Sequence, residues 1–132
     1  MMNANQHEAL ILLVDDEPDI LSVYKTKLER EGFSVITAAD GTEALRLAAE
    51  RRPDLILMDM KMPVMDGITA QLELKNNPVT KGIKVVFLTA FSDPAHPETY
   101  KEETKEIGAL DFIKKGIGLD EFVVRVRGYL NK

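Results

Sequence analysis

The sequence contains no cysteine, which excludes disulfide bonds, thiol catalysis and cysteine-ligated metal sites. Clustered positive charge is also missing: the net charge is −5, and the longest basic clusters fall at 50–52 and 113–115. Proteins that bind nucleic acid contact the phosphates through grouped Lys and Arg side chains. We therefore expect no direct nucleic-acid partner.

An apolar segment is missing from the N-terminus, where residues 1–9 read MMNANQHEA. Signal peptides and membrane anchors need such a segment. We therefore predict a flexible tail at 1–9, a folded domain at 10–132, no membrane partner and a cytoplasmic location. The chain of 132 residues is long enough for one domain, which buries about 65–70% of its unfolded surface.

Five short apolar runs recur along the chain, at 10–14, 33–37, 54–58, 83–88 and 110–113. The first, third and fourth are nearly continuous in aliphatic residues, which is typical of parallel strands covered on both faces. Helical patterns alternate with the runs and begin near Pro18, at a Thr42 cap, near Gly67, near Pro97 and near Leu119. This alternation predicts an α/β fold with a doubly wound, five-stranded parallel sheet and helices on both faces.

Polar side chains stand at the carboxyl ends of four of these runs. They are Asp15, Asp16 and Glu17 after the first run, Asp59 after the third, Thr89 after the fourth, and Lys114 or Lys115 after the fifth. In open parallel sheets, ligands bind outside the carboxyl ends of the strands, near the point where the strand order reverses. The sequence therefore predicts one site that collects these groups.

The residue types in this site indicate metal-assisted phosphoryl chemistry. Carboxylates gathered together repel one another unless a cation joins them, and oxygen ligands without His or Cys favour Mg²⁺. A Lys and a Thr nearby suit the oxygens of a phosphoryl group, and a carboxylate can accept that group as an acyl phosphate. Asp59, which ends a strand predicted to be buried, is the candidate acceptor.

Simpler interpretations of the same residues stay open at this point. Asp15, Asp16 and Glu17 are suited to cap and charge a helix N-terminus. Asp59 alone is compatible with a hydrogen-bonded turn residue, and Thr89 alone is more typical of plain β-structure. Only the combination of all these groups favours a phosphoryl site.

Four blocks of the sequence resemble the receiver domains of two-component response regulators. The blocks are LLVDDEPDI (12–20), DLILMDMKMPVMDG (54–67), VVFLTA (85–90) and GALDFIKK (108–115), and they occur in the order and spacing of that family. The resemblance extends from about Leu10 to Leu130. It implies a flavodoxin-like fold with strand order 2-1-3-4-5.

The resemblance also implies a role for each matching residue around the phosphoryl group. Asp59 corresponds to the phosphorylated residue, Thr89 to the hydroxyl that bonds the phosphoryl group, and Lys115 to the lysine that pairs with it. Lys114 is the alternative lysine. Phe112 corresponds to the aromatic side chain that changes rotamer when Thr89 moves.

The resemblance assigns Mg²⁺ to the carboxylates of Asp15, Asp16 and Asp59 and to the backbone carbonyl of Lys61. It implies a signalling switch in a phosphorelay, not an enzyme, with self-catalysed phosphorylation and dephosphorylation. The implied phosphoryl donor is a histidine kinase or a histidine phosphotransfer protein. With no output region recognised in the sequence, the signal is expected to reach an unknown downstream protein by contact or by relay.

Two features of the sequence depart from the family pattern. Gly116 follows the lysine where the family usually has proline, often with a cis bond before it, and this predicts a more mobile loop. The segment at 91–103 is several residues longer than usual, which leaves the partners of the output face open.

Other classes of function compete with the switch. A phosphorylation-independent interaction module would keep the acidic edge without using it. A Mg²⁺-dependent phosphatase is less favoured, because the haloacid-dehalogenase-like pattern has a second acid two residues after its aspartyl nucleophile, where this chain has Lys61. A flavin site is disfavoured because the loop after the first run is acidic instead of rich in Gly, Ser and Thr.

Overall fold

Five parallel strands form one sheet in the computed structural model, which describes residues 8–90 and 105–132. The strands are β1 (Leu10–Val14), β2 (Ser34–Ala38), β3 (Leu55–Asp59), β4 (Lys84–Thr89) and β5 (Asp111–Lys114). Their order is β2-β1-β3-β4-β5, and each adjacent pair is parallel. The predicted α/β fold and its strand order are therefore confirmed. The order reverses between β1 and β3, which puts the expected ligand crevice outside their carboxyl ends.

Four helices flank the sheet in the described part of the chain: α1 (Pro18–Arg30), α2 (Gly41–Arg51), α3 (Gly67–Lys75) and α4 (Leu119–Leu130). Pro18 lies in the first turn of α1, where a missing N–H costs nothing. The helix predicted from Pro97 to Ile107 falls mostly on 97–104, outside the described residues. No helix within 8–90 or 105–132 has the length and apolar character needed to cross a bilayer.

The N-cap of α2 is Asp40, so the prediction that Thr42 caps this helix is wrong. The Asp40 carboxylate accepts a hydrogen bond of 2.9 Å from the backbone N–H of Glu43, which satisfies one of the unpaired donors of the first turn. Thr42 lies inside that turn, with its side chain exposed. Both residues have a suitable side chain, and the point at which the backbone becomes helical decided between them.

Strands β2 to β5 begin and end one residue later than the apolar runs that predicted them. The difference arises because the residue after each run still takes part in the ladder, even where it is polar. Asp59 pairs with Leu88 across β3 and β4, and Thr89 pairs with Lys114 across β4 and β5. Asp59 and Thr89 are therefore held by strand pairing and not by a free loop.

The central strands are apolar on both sides because a separate core covers each face of the sheet. On one face, α1 and α4 pack against β1, β3, β4 and β5, through Ile11, Leu13, Tyr24, Leu28, Leu55, Leu57, Val86, Leu88, Ile113, Phe122 and Val126. On the other face, α2 and α3 pack through Leu12, Val14, Ala44, Ala48, Ile56, Met58, Ala70, Leu74 and Phe87. Two close-packed cores fix the carboxyl edge of the sheet rigidly.

Two residues of the predicted N-terminal tail contact β2. The carbonyl of Ala9 accepts a hydrogen bond of 3.0 Å from the N–H of Ser34, and the Glu8 carboxylate accepts one of 2.9 Å from the Ser34 hydroxyl. Residues 1–7 lie outside the described residues, so flexibility of the tail stays a prediction.

Candidate functional site

Asp59 closes β3 at the carboxyl edge of the sheet and is only 5% exposed. Its four predecessors in the strand are fully buried, so the carboxylate lies at the boundary between the core and the solvent. The backbone N–H of Lys61 approaches its Oδ1 at 3.4 Å, a long hydrogen bond. One weak backbone donor does not compensate for burial of a carboxylate.

Asp15 lies beside Asp59 on the neighbouring strand end and is fully buried. Its backbone N–H donates to the carbonyl of Ala38 at 3.1 Å, and its Oδ1 accepts from the N–H of Glu17 at 3.0 Å. These bonds fix the chain and one carboxylate oxygen. The second oxygen, Oδ2, is buried as well and lies 2.7 Å from Nζ of Lys115, so an ammonium partly neutralises its charge.

Lys115 extends between the two buried carboxylates. Its Nζ lies 2.7 Å from Oδ2 of Asp15 and 3.2 Å from Oδ2 of Asp59, with Oε1 of Glu17 at 3.9 Å. Its backbone N–H donates to the carbonyl of Thr89 at 2.8 Å. Lys114, the alternative from the sequence, is exposed. The geometry therefore favours Lys115 as the lysine of the site.

Burial and charge oppose each other at this site. Burial raises the pKa of Asp59, and the negative charge of Asp15 raises it further, although Lys115 and the Lys61 N–H lower it in part. Burial by itself lowers the pKa of Lys115, but its contact with Asp15 and the charge of Asp59 outweigh burial, so that this pKa is raised. One ammonium thus serves two buried carboxylates, and negative charge remains in excess.

Three carboxylates after β1 form a compact group of oxygen ligands. Carboxylate oxygens of Asp15, Asp16 and Glu17 lie within 4.8 Å of one another, with Asp15 buried and the other two exposed. Such a set suits a hard divalent ion that keeps part of its water shell. The sequence prediction did not include Glu17 among the metal ligands, although its place in the acidic run was visible.

The other two predicted metal ligands, Asp59 and Lys61, lie outside the acidic group after β1. Asp59 is linked to Asp15 through Lys115 and is not part of the compact acidic group. Lys61 has an exposed side chain, and its N–H is the group in contact with Asp59. The residues present nevertheless fit Mg²⁺, because one buried and two exposed carboxylates offer oxygen ligands within 4.8 Å of one another.

Comparison with known proteins identifies the family to which this fold and this site belong. Residues 11–127 match the family model of the response regulator receiver domain. The chain belongs to this family. It is therefore a receiver domain of the two-component type, as the resemblance of its sequence blocks had predicted.

Individual relatives agree with this family. The receiver domain is 36% identical to sporulation initiation phosphotransferase F of Bacillus subtilis, covering 91% of this chain and 92% of that protein. It is 36% identical to the transcriptional regulatory protein KdpE of Mycobacterium tuberculosis, covering 93% of this chain and 51% of KdpE. The chain thus spans about half the length of the mycobacterial regulators that it matches.

A solved structure gives the same fold. The receiver domain of the sensor histidine kinase PA1611 from Pseudomonas aeruginosa, solved with a magnesium ion coordinated in its active site cleft, superimposes with a TM-score of 0.82. The alignment covers 96% of this chain and 100% of that one, at 27% identity.

Thr89 and Phe112, the two predicted switch residues, lie on the neighbouring strands β4 and β5. Thr89 ends β4 with a half-buried side chain, and its carbonyl holds the N–H of Lys115. Phe112 of β5 pairs with Phe87 of β4, and Phe87 lies two residues before Thr89. The Phe112 side chain is half-buried and packs on the face of the sheet that α2 and α3 cover. The receiver domain thus brings Thr89 beside the lysine and puts Phe112 deeper along the strands.

Gly67 shapes the turn that follows Asp59, a role that the sequence pattern alone did not reveal. A Cβ at this position would collide with the carbonyl oxygen of Asp59 and lie 3.0 Å from the Cα of Met60. The Gly67 N–H donates to the Met60 carbonyl at 2.9 Å. The absence of a side chain therefore lets α3 begin directly against the end of β3. The Asp-Gly pair at 66–67 was the available signal.

Proposed function

We propose that this receiver domain is a phosphorylation-dependent switch in which Asp59 accepts a phosphoryl group with the help of Mg²⁺. The observation that carries the proposal is the pairing of Asp59 and Asp15 with Lys115 at the carboxyl edge of the sheet. A carboxylate kept reactive between an acidic group and a lysine is what acyl phosphate formation requires.

The proposed reaction is a transfer between the donor and one oxygen of Asp59. That carboxylate oxygen forms a new bond to phosphorus, while the bond between phosphorus and the donor breaks and its electron pair leaves with the donor. Hydrolysis of the resulting acyl phosphate by water returns the carboxylate and releases inorganic phosphate. Both steps are self-catalysed in this proposal, and the domain is not a classical enzyme.

Asp15 and Asp16 are the proposed carboxylates for Mg²⁺, with Asp59 and the backbone carbonyl of Lys61 completing the set. The cation would neutralise charge shared by the acceptor and the phosphoryl oxygens. The grouping of the Asp15, Asp16 and Glu17 carboxylate oxygens within 4.8 Å of one another supports this assignment. The magnesium ion in the cleft of the PA1611 receiver domain supports it for a related protein.

Lys115 and Thr89 are the proposed sensors of the phosphoryl group. The Lys115 ammonium lies 3.2 Å from Asp59 and would pair with the added negative charge, and the Thr89 hydroxyl would donate to a phosphoryl oxygen. Their movement would bias the surface of β4, β5 and α4, with Phe112 changing rotamer. A ligand that moves such an equilibrium from 1:99 to 99:1 supplies about 5.5 kcal/mol of differential stabilisation.

The proposed donor is a histidine kinase or a histidine phosphotransfer protein. The output is a downstream protein reached by direct contact or by phosphoryl relay. The match to a sporulation phosphotransferase over almost its whole length supports a relay role. We propose a cytoplasmic location and neither nucleic acid nor membrane as a direct partner of this chain.

The decisive experiment is intact-mass spectrometry after incubation with acetyl phosphate and Mg²⁺. We expect wild-type protein to gain one phosphoryl group, and Asp59→Asn or wild type treated beforehand with EDTA to gain none. Asp54→Asn is the matched control, because Asp54 immediately precedes β3 at its opposite end and is exposed. Modification of Asp59→Asn would reject Asp59 as the acceptor, and no gain in wild type would favour the phosphorylation-independent module.

A further inference from the structure

The backbone of Phe112, the predicted switch residue, is held by side chains. Phe112 lies in β5, which stands at one end of the strand order. Its N–H donates to Oδ1 of Asp111 at 2.8 Å, and its carbonyl accepts from Nη2 of Arg125 at 2.8 Å. Arg125 belongs to α4. A side chain of this helix therefore bonds directly to the residue whose rotamer is proposed to change.

The same nitrogen of Arg125 contacts two further oxygens. Nη2 lies 2.8 Å from the Tyr129 hydroxyl and 3.3 Å from Oδ2 of Asp111, and the Tyr129 hydroxyl donates to that Oδ2 at 2.8 Å. Burial and the hydrogen bond to Asp111 raise the pKa of Tyr129 to about 12, so the phenol keeps its proton at physiological pH. Asp111, Arg125 and Tyr129 thus form one hydrogen-bonded group between β5 and α4, which we call the Arg125 network.

The Arg125 network has more acceptors than its central nitrogen can satisfy. A terminal guanidinium nitrogen carries two hydrogens in a fixed plane, whereas three oxygens, those of the Phe112 carbonyl, the Tyr129 hydroxyl and the Asp111 carboxylate, lie within 3.3 Å of Nη2. The Phe112 carbonyl therefore competes with Asp111 for the guanidinium. A shift of that carbonyl changes how strongly Arg125 holds its other partners.

We propose that Arg125 is a positioning residue that couples Phe112 to α4. A change of the Phe112 rotamer displaces its backbone carbonyl, and Arg125 then shifts its hydrogen bonds from Phe112 towards Asp111. The helix α4 adjusts because it carries both Arg125 and Tyr129, one turn apart. A hydrogen-bond network with two discrete arrangements is a physical route for such coupling. This role rests on the proposed phosphoryl switch, in which Phe112 changes rotamer.

The network is testable without phosphorylation, by NMR titration of the Asp111 carboxyl. Burial raises the pKa of this group, but the hydrogen bonds of the network and the charge of Arg125 outweigh burial, so that the pKa is lowered. We expect Arg125→Met to raise the pKa of Asp111. Arg127→Met is the matched control, because Arg127 lies on the same helix and bonds the carbonyl of Glu31 at 3.1 Å. An unchanged pKa of Asp111 in Arg125→Met would overturn the network.

The coupling is measured from the amide chemical shifts of α4 in a double-mutant cycle with Phe112→Leu. We expect Phe112→Leu to change these shifts in the wild-type background, and to change them less by about twofold or more in the Arg125→Met background. Arg125→Lys keeps the charge but lacks the planar fork, so we expect this background to resemble Arg125→Met. Equal changes in the wild-type and Arg125→Met backgrounds overturn the proposal.

Phosphorylation by acetyl phosphate with Mg²⁺ tests the same coupling in the phosphorylated protein. We expect wild type to change its amide shifts both at Thr89 and along α4. Arg125→Met should accept the phosphoryl group to the same extent and keep the change at Thr89, with the change along α4 reduced by about twofold or more. Arg127→Met should behave as wild type does. A full change along α4 in Arg125→Met, or none in phosphorylated wild type, overturns the proposal.

The outcomes distinguish the role of Arg125 from the proposed function. If wild type accepts no phosphoryl group, the phosphoryl switch fails, and the cycle with Phe112→Leu still decides whether Arg125 couples β5 to α4. If wild type is phosphorylated normally and Arg125→Met matches Arg127→Met in every measurement, only the role of Arg125 fails.

Discussion

At the scale of single residues, the site combines reactivity with a cost in stability. Asp59 and Asp15 are both buried, and one lysine contacts them. The pKa of Asp59 is raised by burial and by Asp15, so its ionisation is more favourable in the unfolded chain. The free energy of unfolding therefore falls as pH rises from the ordinary value of 3.8 through the raised pKa. Ionised Asp59 destabilises the fold at neutral pH.

We predict that Asp59→Asn is more stable than wild type at neutral pH in EDTA, by about 1 kcal/mol. The gain follows from removal of a buried charge, and Lys115 keeps Asp15 as its partner. The difference shrinks at acid pH, where the wild-type carboxyl is protonated in both states. Urea unfolding at several pH values measures it.

Asp54→Asn again provides the control for a change of charge on an exposed carboxylate. We expect it to lack the same pH-dependent gain. A lower stability of Asp59→Asn at neutral pH would mean that the ion pair with Lys115 outweighs the cost of burial, and would contradict the prediction.

At the scale of elements, α3 and the turn before it hold Asp59 in place from the outside. The turn is tied at its start by the hydrogen bond from Gly67 to Met60 and at its end by Asp66, whose carboxylate accepts from the Thr69 N–H at 2.8 Å. Close approach of helix and strand depends on Gly67, because a Cβ there would collide with the backbone of Asp59. The acceptor and the helix are thus one packed unit.

We predict that Gly67→Ala lowers stability by about 2 kcal/mol through overpacking and slows phosphorylation of Asp59. Gly128→Ala is the control, because Gly128 lies in α4 and a Cβ added there would meet no atom within 4 Å. That change should stabilise the protein by about 0.5–1 kcal/mol. Denaturant unfolding and phosphorylation rates measure both effects, and a Gly67→Ala variant of wild-type stability and rate would contradict the packing argument.

At the scale of the whole molecule, the chain is acidic and groups three carboxylates at one edge of the sheet. The chain carries a net charge of −5, and three carboxylates converge after β1. Attraction of a divalent cation to this edge would stabilise the folded state, because the unfolded chain keeps Asp15, Asp16 and Glu17 adjacent but neither fixes their orientation nor brings Asp59 to them. Metal binding and folding are therefore expected to be linked.

We predict that Mg²⁺ raises the free energy of unfolding of wild type, by about 2.7 kcal/mol at one hundred times its dissociation constant. Asp15→Asn, which removes the buried ligand, should respond much less, and Asp54→Asn should respond as wild type does. Unfolding measured against Mg²⁺ at constant ionic strength gives the comparison. Equal responses of wild type and Asp15→Asn would exclude Asp15 as a ligand.

The sequence by itself determined the fold and the edge at which the site lies. Runs such as LILLV and LILM are apolar without alternation, and only a sheet covered on both faces buries both sides of such strands. Parallel strands bring their carboxyl ends to one edge, so that Asp15, Asp59 and Thr89 were expected there together before any contact was known. Local pattern suffices for these features because they depend on periodicity and chain direction alone.

Only the tertiary structure decided how the groups are held. The residues alone did not decide whether Lys114 or Lys115 is the lysine of the site. In the structure, Lys115 contacts Asp15 and Asp59, whereas Lys114 is exposed. Tyr24 stacks on Phe122 because α1 and α4 pack on the same face of the sheet. Such contacts join residues far apart in the chain, and burial sets how strongly their charges interact. Neither the contacts nor the burial can be read from a local stretch of sequence.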